Sequence, residues 1–349
     1  MLPQLDRTCW VALEVTGSAF EVHDVLSPHV GRVLLANPVD LKRLGSGRHT
    51  DRVDAARLAK MLAVGTLPTV WVPPQPMREV RRLLYYRARL ASSRRRAVNQ
   101  AKSVLRRCGH LLPRETDVRR WLTQERMATL PASDRVILLS ACRQITALET
   151  EVEEIETEIA HCVADVPAVQ LLLTITGVGF LGAAATWAIV GDPHRFTRPK
   201  QVVRYAGLDP SIVQSGDQHR QGRISKAGSP LLRTLLVEAA HSLARWDTGP
   251  LGQFYTRKAP EVGPRKAIIA LARKLLIVAW RMLLTGEVYR SAKATTVARK
   301  QRELHKKIRA HALTPAVPYG HPTRVTRRSR PRAGETEDML SRPRTPVLT

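Results

Sequence analysis

Residues 169–191 read VQLLLTITGVGFLGAAATWAIVG, 23 positions without a charged side chain. As one helix, such a run is long enough to cross a bilayer. Against a span stand the TGVG turn signal at 176–179 and the lack of basic and aromatic anchors at both ends. The better reading is a buried pair of helices joined by a turn. Within it, Leu172-x-x-Ile175-x-Gly177-Val178-Gly179 followed by an alanine-rich stretch has the pattern of a helix–hairpin–helix. Its glycines permit a tight turn, and the amides at the next helix start can take a DNA phosphate. The plainer alternative is a glycine turn between two core helices.

Working outward, 169–290 reads as a mostly helical compact unit. Residues 195–240, RFTRPKQVVRYAGLDPSIVQSGDQHRQGRISKAGSPLLRTLLVEAA, include a polar loop in which Ser215 precedes Gly216 near His219, Arg220, Arg223 and Lys226. A serine among cations can attack phosphorus while the cations stabilise the charged transition state; alternatively Ser-Gly is simply a turn. Ser229-Pro230 has the form of a helix cap followed by a first-turn proline.

Upstream lie two long helical stretches. Residues 78–107 hold 11 cations and one acid, with Leu83, Leu84, Leu90, Val98, Val104 and Leu105 as an apolar stripe. Over 134–162, Ile145, Leu148, Val152, Ile155, Ile159 and Cys162 recur in steps of three and four, a heptad seam, with six glutamates between 149 and 158. A basic helix followed by an acidic one suggests a helical arm, paired within the chain or between chains. Pro73, Pro74 and Pro76 separate it from an α/β segment. There, 10–16 and 33–37 read as strands, Asn37-Pro38 opens a turn, and a helix runs from Asp51 to Val64. Only two strands are readable in this segment, too few for a complete α/β domain.

Glu14 lies amid apolar neighbours in the first strand, and Asp51 and Asp54 share a face at a helix start. Carboxylates so placed can hold Mg²⁺. The alternative makes Asp51 a helix cap, Asp54 a carboxylate that favours the helix dipole, and Glu14 a solvent-facing strand end.

The chain has 349 residues, with 56 Lys and Arg against 30 Asp and Glu, a formal charge of +26, and 44% hydrophobic residues. A chain that apolar can bury a core, so it is no disordered polycation. Its charge disfavours an ordinary metabolic enzyme and favours a polyphosphate partner, nucleic acid over an anionic membrane. The charge is concentrated, with a net +10 on 78–107 and +10 on 291–349. Apart from a helical part within 293–311, that tail is expected to be disordered and to contact nucleic acid without sequence preference. Four scattered cysteines without a CxxC pair, and no signal peptide, fit a reducing cytosol.

Taken together and in order, VALEVTG, ANPVDLKRL and HTDRVDAARLAKML resemble the N-terminal domain of the DEDD transposases of the IS110 (IS116/IS902) insertion-sequence family. LTITGVGFLGAAATWAIVGDPHRF, YAGLDPSIVQSG and GRISKAGSPLLRTLLVEAA resemble that family's C-terminal domain, and ALARKLLIVAWRMLLTGEVY its closing helix. The resemblance implies a mixed fold in four parts. Residues 1–76 would be a partial, truncated α/β RNase H-like (RuvC-type) domain, and 77–165 a helical coiled-coil arm. Residues 166–290 would be a mostly α-helical transposase domain with a helix–hairpin–helix-like motif, and 291–349 a basic, largely disordered tail.

By the same resemblance Glu14, Asp51 and Asp54 fall on three of four metal-binding carboxylates, and Ser215 on a serine nucleophile. Gly177, Gly179, Arg220, Arg223 and Lys226 are the expected nucleic-acid contacts. The implied reaction is DNA strand cleavage and rejoining through a serine–DNA linkage, assisted by Mg²⁺. The implied partners are DNA, a structured guide RNA from the element and further copies of the chain through the arm, in a bacterial cytoplasm at the nucleoid. The family's first aspartate lies on an opening strand several dozen residues before the glutamate. Only 13 residues precede Glu14 here, and Asp6 among them is too close to serve. This implies a shortened chain or a misassigned start, weaker metal binding, and an inactive enzyme as one expectation. The alternatives are a non-catalytic DNA- or RNA-binding remnant and a junction-resolving nuclease using carboxylates alone.

Overall fold

The computed structural model describes residues 5–44, 50–215 and 218–313, without the side chains of 212–215, 218–221 and 310–313. The tail from 314 onward, expected to be disordered, lies outside the described residues.

Strand β1 (Trp10–Glu14) pairs in parallel with β2 (Arg32–Ala36), from Trp10 opposite Arg32 to Glu14 opposite Ala36. Parallel neighbours need a crossover, and α1 (Ala19–Leu26) provides it. A third strand, β3 (Thr69–Val70), adds antiparallel to β2. The sequence shows only two strands because two residues are too few to display an alternation. A second difference follows β2. Instead of a turn, Asn37-Pro38 begins helix α2 (Pro38–Leu44), with Asn37 Oδ1 accepting from the Val39 amide and Pro38 filling a first-turn position that needs no N–H. Helix α3 (Asp51–Ala63) follows and packs against β1.

The arm is an antiparallel pair of helices, α4 (Gln75–Arg107) and α6 (Ala132–Val163), of 33 and 32 residues. Between them lie a 3-10 turn at Val118–Trp121 and the short α5 (Gln124–Ala128). The cations of α4 meet the acids of α6 within the chain. Arg87 pairs with Glu156 at 2.7 Å, Arg94 with Glu149 at 2.6 Å, and Arg107 with Asp134. As the first partner advances along the chain the second retreats, which defines the antiparallel register. Of the heptad seam, Ile145 and Ile159 are buried; Leu148, Val152, Ile155 and Cys162 are half-buried.

Two cores line this pair. The distal one joins Ala101, Leu105, Leu138 and Ile145 to Val118 and Trp121 of the intervening turn. At the other end, Val80, Leu84, Ile159 and Val163 belong to the main core. That core is built by α7 (Pro167–Leu173), α8 (Phe180–Val190), α9 (Pro199–Tyr205), α10 (Pro230–Trp246), α11 (Pro250–Val262) and α12 (Pro264–Thr285). The uncharged run 169–191 is thus a pair of buried helices joined by a turn. Among the described residues no helix is long and apolar enough to cross a membrane. Arg81 of α4 ties the arm's base to α8 by donating to the carbonyls of Ala188 and Ile189, at 2.6 and 3.1 Å.

The polar loop expected around Ser215 is instead a β-hairpin, β4 (Pro210–Ser215) and β5 (Gln218–Ile224). Beyond α12, helix α13 (Ala294–Leu313) begins the basic C-terminal segment.

Candidate nucleic-acid interface and carboxylate pocket

The parallel register places Glu14 at the C-terminal end of β1, and α3 brings its first turns alongside. Glu14 and Asp54 line one pocket of about 390 Å³, together with Lys42 of α2 and Arg57 of α3. Arg57 also donates to the Leu41 carbonyl at 2.8 Å, which holds α3 against α2. Asp51 does not line this pocket. It precedes Asp54 by three residues, about 4.5 Å back along the axis and about 60° off in rotation. The cap role that the alternative reading gave to Asp51 falls to Thr50, whose hydroxyl accepts from the Val53 amide at 3.4 Å. Among the described residues no three His, Cys, Asp or Glu side chains are grouped as a metal would require. Two of the three expected carboxylates therefore come together and the third stands outside. Two carboxylates are the number a Mg²⁺ ion can take from protein, its shell being completed by water and substrate phosphates; Lys42 and Arg57 share the same pocket.

The α7–α8 turn closes on α10. Gly177 has φ +78°, and a Cβ there would lie 2.8 Å from the Ala239 carbonyl oxygen. Only glycine meets both demands. Gly179 is different: it is the exposed N-cap of α8, with nothing within 4 Å of where a Cβ would be. The two glycines line a cleft of about 550 Å³ with Trp246, Lys293, Arg299, Lys300 and Glu303, the last paired with Arg299. Lys300 of α13 donates to the carbonyls of Leu173 and Ile175, at 2.8 and 2.5 Å, and so pins α13 to the end of α7. Burial pushes this ammonium down to about 8.

The hairpin's strands end on the pair Ser215 and Gln218, and Arg220 lies opposite Val213. The side chains of Ser215 and Arg220 lie outside the described residues, so only their places on the strands can be stated. The hairpin's base is well fixed. The Ser225 amide donates to the Asp209 carbonyl at 2.8 Å, the Ser225 hydroxyl to the Asp209 carboxylate, and the Lys226 amide to the Gly207 carbonyl at 3.1 Å. At the start of α10, Ser229 caps by accepting from the Leu232 amide at 3.3 Å, with Pro230 in the first turn, as its sequence suggests.

Arg223 and Lys226, both exposed, line a groove of about 620 Å³ between the hairpin and α12. The opposite wall carries Arg265, Lys266 and Arg273, and among the described residues no acid lines the groove. These three cations were missed by sequence reasoning because their helix reads as a core element. The signal was present: Lys266 and Arg273 are seven apart, on one face, beside a buried stripe of Leu271 and Leu275. Five cations on facing walls are an arrangement that can take a phosphate backbone.

Two family models match this chain. One, described as the transposase IS116/IS110/IS902 family, covers residues 169–256, from α7 through the hairpin and α10 into α11. The other, the DEDD transposase model of IS110 elements, covers residues 2–110. A putative transposase of Sinorhizobium fredii, y4rJ, is 30% identical over 308 residues, 78% of this chain and 76% of that protein. The transposase for insertion sequence element IS1111A of Coxiella burnetii is 29% identical over 270 residues, 73% of this chain and 72% of its own length. A probable family 20 transposase of Pseudomonas aeruginosa is 28% identical over 298 residues, 81% and 86% of the two chains. The chain belongs to the IS110/IS116/IS902 family of insertion-sequence transposases.

Proposed function

We propose that this transposase cuts and rejoins DNA strands with Ser215 as nucleophile, the strand lying in the cationic groove beside the hairpin that carries it. The observation supporting this reading most directly is that groove. Arg223 and Lys226 of the hairpin face Arg265, Lys266 and Arg273 of α12, and no acid stands between them among the described residues. In the cleavage step the serine Oγ gives up its proton and bonds to phosphorus. The P–O bond to the departing deoxyribose breaks, and that oxygen takes up a proton. A strand hydroxyl attacking the serine–phosphate ester reverses the process and rejoins the DNA, so the number of phosphodiester-type bonds is conserved. The groove's guanidiniums orient the phosphate and stabilise the added charge of the pentacoordinate transition state.

Glu14 and Asp54 are the residues that would hold Mg²⁺, with Asp51 one turn away. A bound Mg²⁺ would supply charge neutralisation on phosphate and orientation of the reacting oxygens. Gly177 and Gly179 would offer the α8 amides to a second stretch of DNA backbone, close to Lys293 and Arg299. A structured RNA from the element would be the second polyanion for a chain of charge +26. Copies of the chain would associate through the outer faces of the arm, whose α4 and α6 are paired with each other within the chain.

The test is a covalent adduct. A labelled DNA substrate should become attached to the wild-type chain through a linkage mapped to Ser215. Ser215→Ala should abolish the adduct and strand exchange while changing DNA affinity less than about threefold. Strand exchange that survives Ser215→Ala would reject the nucleophile. Cleavage without any adduct, lost on Asp54→Ala, would point instead to a carboxylate nuclease.

A further inference from the structure

A cleft of about 750 Å³ lies between α1 and the base of α4, apart from both the carboxylate pocket and the hairpin groove. On its α4 wall stand Arg82, Tyr85, Tyr86 and Arg89, all exposed, the two tyrosine residues to 44% and 46%. Their spacing of three, four and seven residues puts them in one stripe along the helix, cation, two rings, cation. Neither ring belongs to a hydrophobic core cluster. The cleft's other arginines already have structural tasks. Arg78 pairs with Asp24 at 2.5 Å, and Arg81 holds the carbonyls of α8. Arg82 has only a loose ion pair with Glu21, at 3.6 Å with both side chains more than half exposed, which water and salt largely screen. The Tyr85 hydroxyl reaches Ser229 Oγ at 3.2 Å, which fixes that ring against the start of α10.

Two exposed rings on a cationic helix have a specific use. Bases that are unpaired can stack on aromatic faces while flanking guanidiniums hold the phosphates, and stacking tolerates any base because every base has a π-face. A duplex hides those faces. We infer that the Arg82–Tyr85–Tyr86–Arg89 stripe binds an unpaired stretch of nucleic acid, two bases stacking on the tyrosines. This site is independent of the serine reading: it needs no chemistry at Ser215 and would persist if that reading failed.

Fluorescence anisotropy with the full chain and three probes of equal length, oligo-dT, oligo-rU and a DNA duplex, tests it. The double variant Tyr85→Ala/Tyr86→Ala should weaken binding of at least one single strand about tenfold or more, and of duplex less than about threefold. Tyr85→Phe/Tyr86→Phe should bind like wild type, because the ring, not the hydroxyl, carries the contact. Whichever of oligo-dT and oligo-rU loses more identifies the sugar that the site takes. Equal losses on single strand and duplex, or none on either, would overturn the inference. Photocrosslinking of 5-iodouracil oligomers to the unmodified chain gives a check that does not depend on a folded variant. Adducts on Tyr85 or Tyr86 support the site, and adducts confined to other regions reject it.

Discussion

Helices α3 and α12 show two ways of using a helix in one chain. The 22 residues of α12 bury nine side chains, among them Leu271, Leu275 and Leu276 with no exposed surface. The 13 residues of α3 bury none. Around α3 the N-terminal segment keeps Val39, Leu44, Val53 and Val64 more than half exposed. The helix presenting the carboxylate Asp54 is therefore held mainly by its cap, by contact with β1 and by the Arg57–Leu41 bond. The helix presenting Arg265, Lys266 and Arg273 is held by the main core. Cationic contacts rest on rigid ground and carboxylate contacts on a thinly packed layer, so the two should respond differently to the same kind of change.

The sharpest contrast is a matched truncation. Leu271→Ala should cost about 2–5 kcal/mol, because a fully buried leucine leaves a cavity. Leu58→Ala on half-buried α3 should cost less than about 1 kcal/mol. Urea unfolding of both variants, read by circular dichroism, measures the difference; equal losses would break the contrast. A subtler pair keeps backbone geometry constant. Gly177 and Gly65 have φ of +78° and +72°, but a Cβ meets Ala239 only at Gly177 and open space at Gly65. Gly177→Ala should cost about 3 kcal/mol, combining backbone strain with overpacking, against about 1–2 kcal/mol of strain alone for Gly65→Ala.

A third test sets the arm against the main core by pH. Hydrogen bonds from Arg107 hold the Asp134 carboxyl below its ordinary value, and those from Arg119 do the same for Asp117. For Glu149, burial pulls upward, but Arg94 and Arg119 outweigh it and the net direction is again downward. Carboxyls depressed by folding contribute stability that is present above their unfolded values and lost as pH falls through their folded ones. Protection factors of amides in α6 near Asp134 and Glu149, taken relative to intrinsic exchange at each pH, should therefore fall below about pH 4, while those of α12, whose core is apolar, should change less. The smallest effect belongs to an exposed pair. Glu303→Ala removes the Arg299–Glu303 bridge of α13 and should shift stability by less than about 0.5 kcal/mol in thermal melts.

The sequence made the arm legible because charge and periodicity agreed there. The sign reversal between α4 and α6 survives in the ion pairs, and of the apolar seam Ile145 and Ile159 are buried. Ser229-Pro230 was legible because a cap is a local device. The β4–β5 hairpin was not. Its strands read PSIVQS and QHRQGRI, without the alternation of apolar and polar residues that marks a half-buried strand, so composition pointed to a loop. The approach of Glu14 to Asp54 spans 40 residues and depends on how α3 lies on β1, which no local pattern encodes. Asp51, by contrast, looked equivalent to Asp54 in sequence, and one turn of helix separates their surroundings.

The arm also sets a length. Thirty-three residues at helical rise extend about 50 Å, the span of about fifteen base pairs of duplex. With a core at each end and ion pairs along its length, it behaves as a strut rather than a tether. The two ends of the arm, the main core at one and the Val118–Trp121 cluster at the other, are therefore held at that spacing, and the register between them is a property of helix length. Inserting or deleting residues in both helices would change that register in steps of rotation as well as distance.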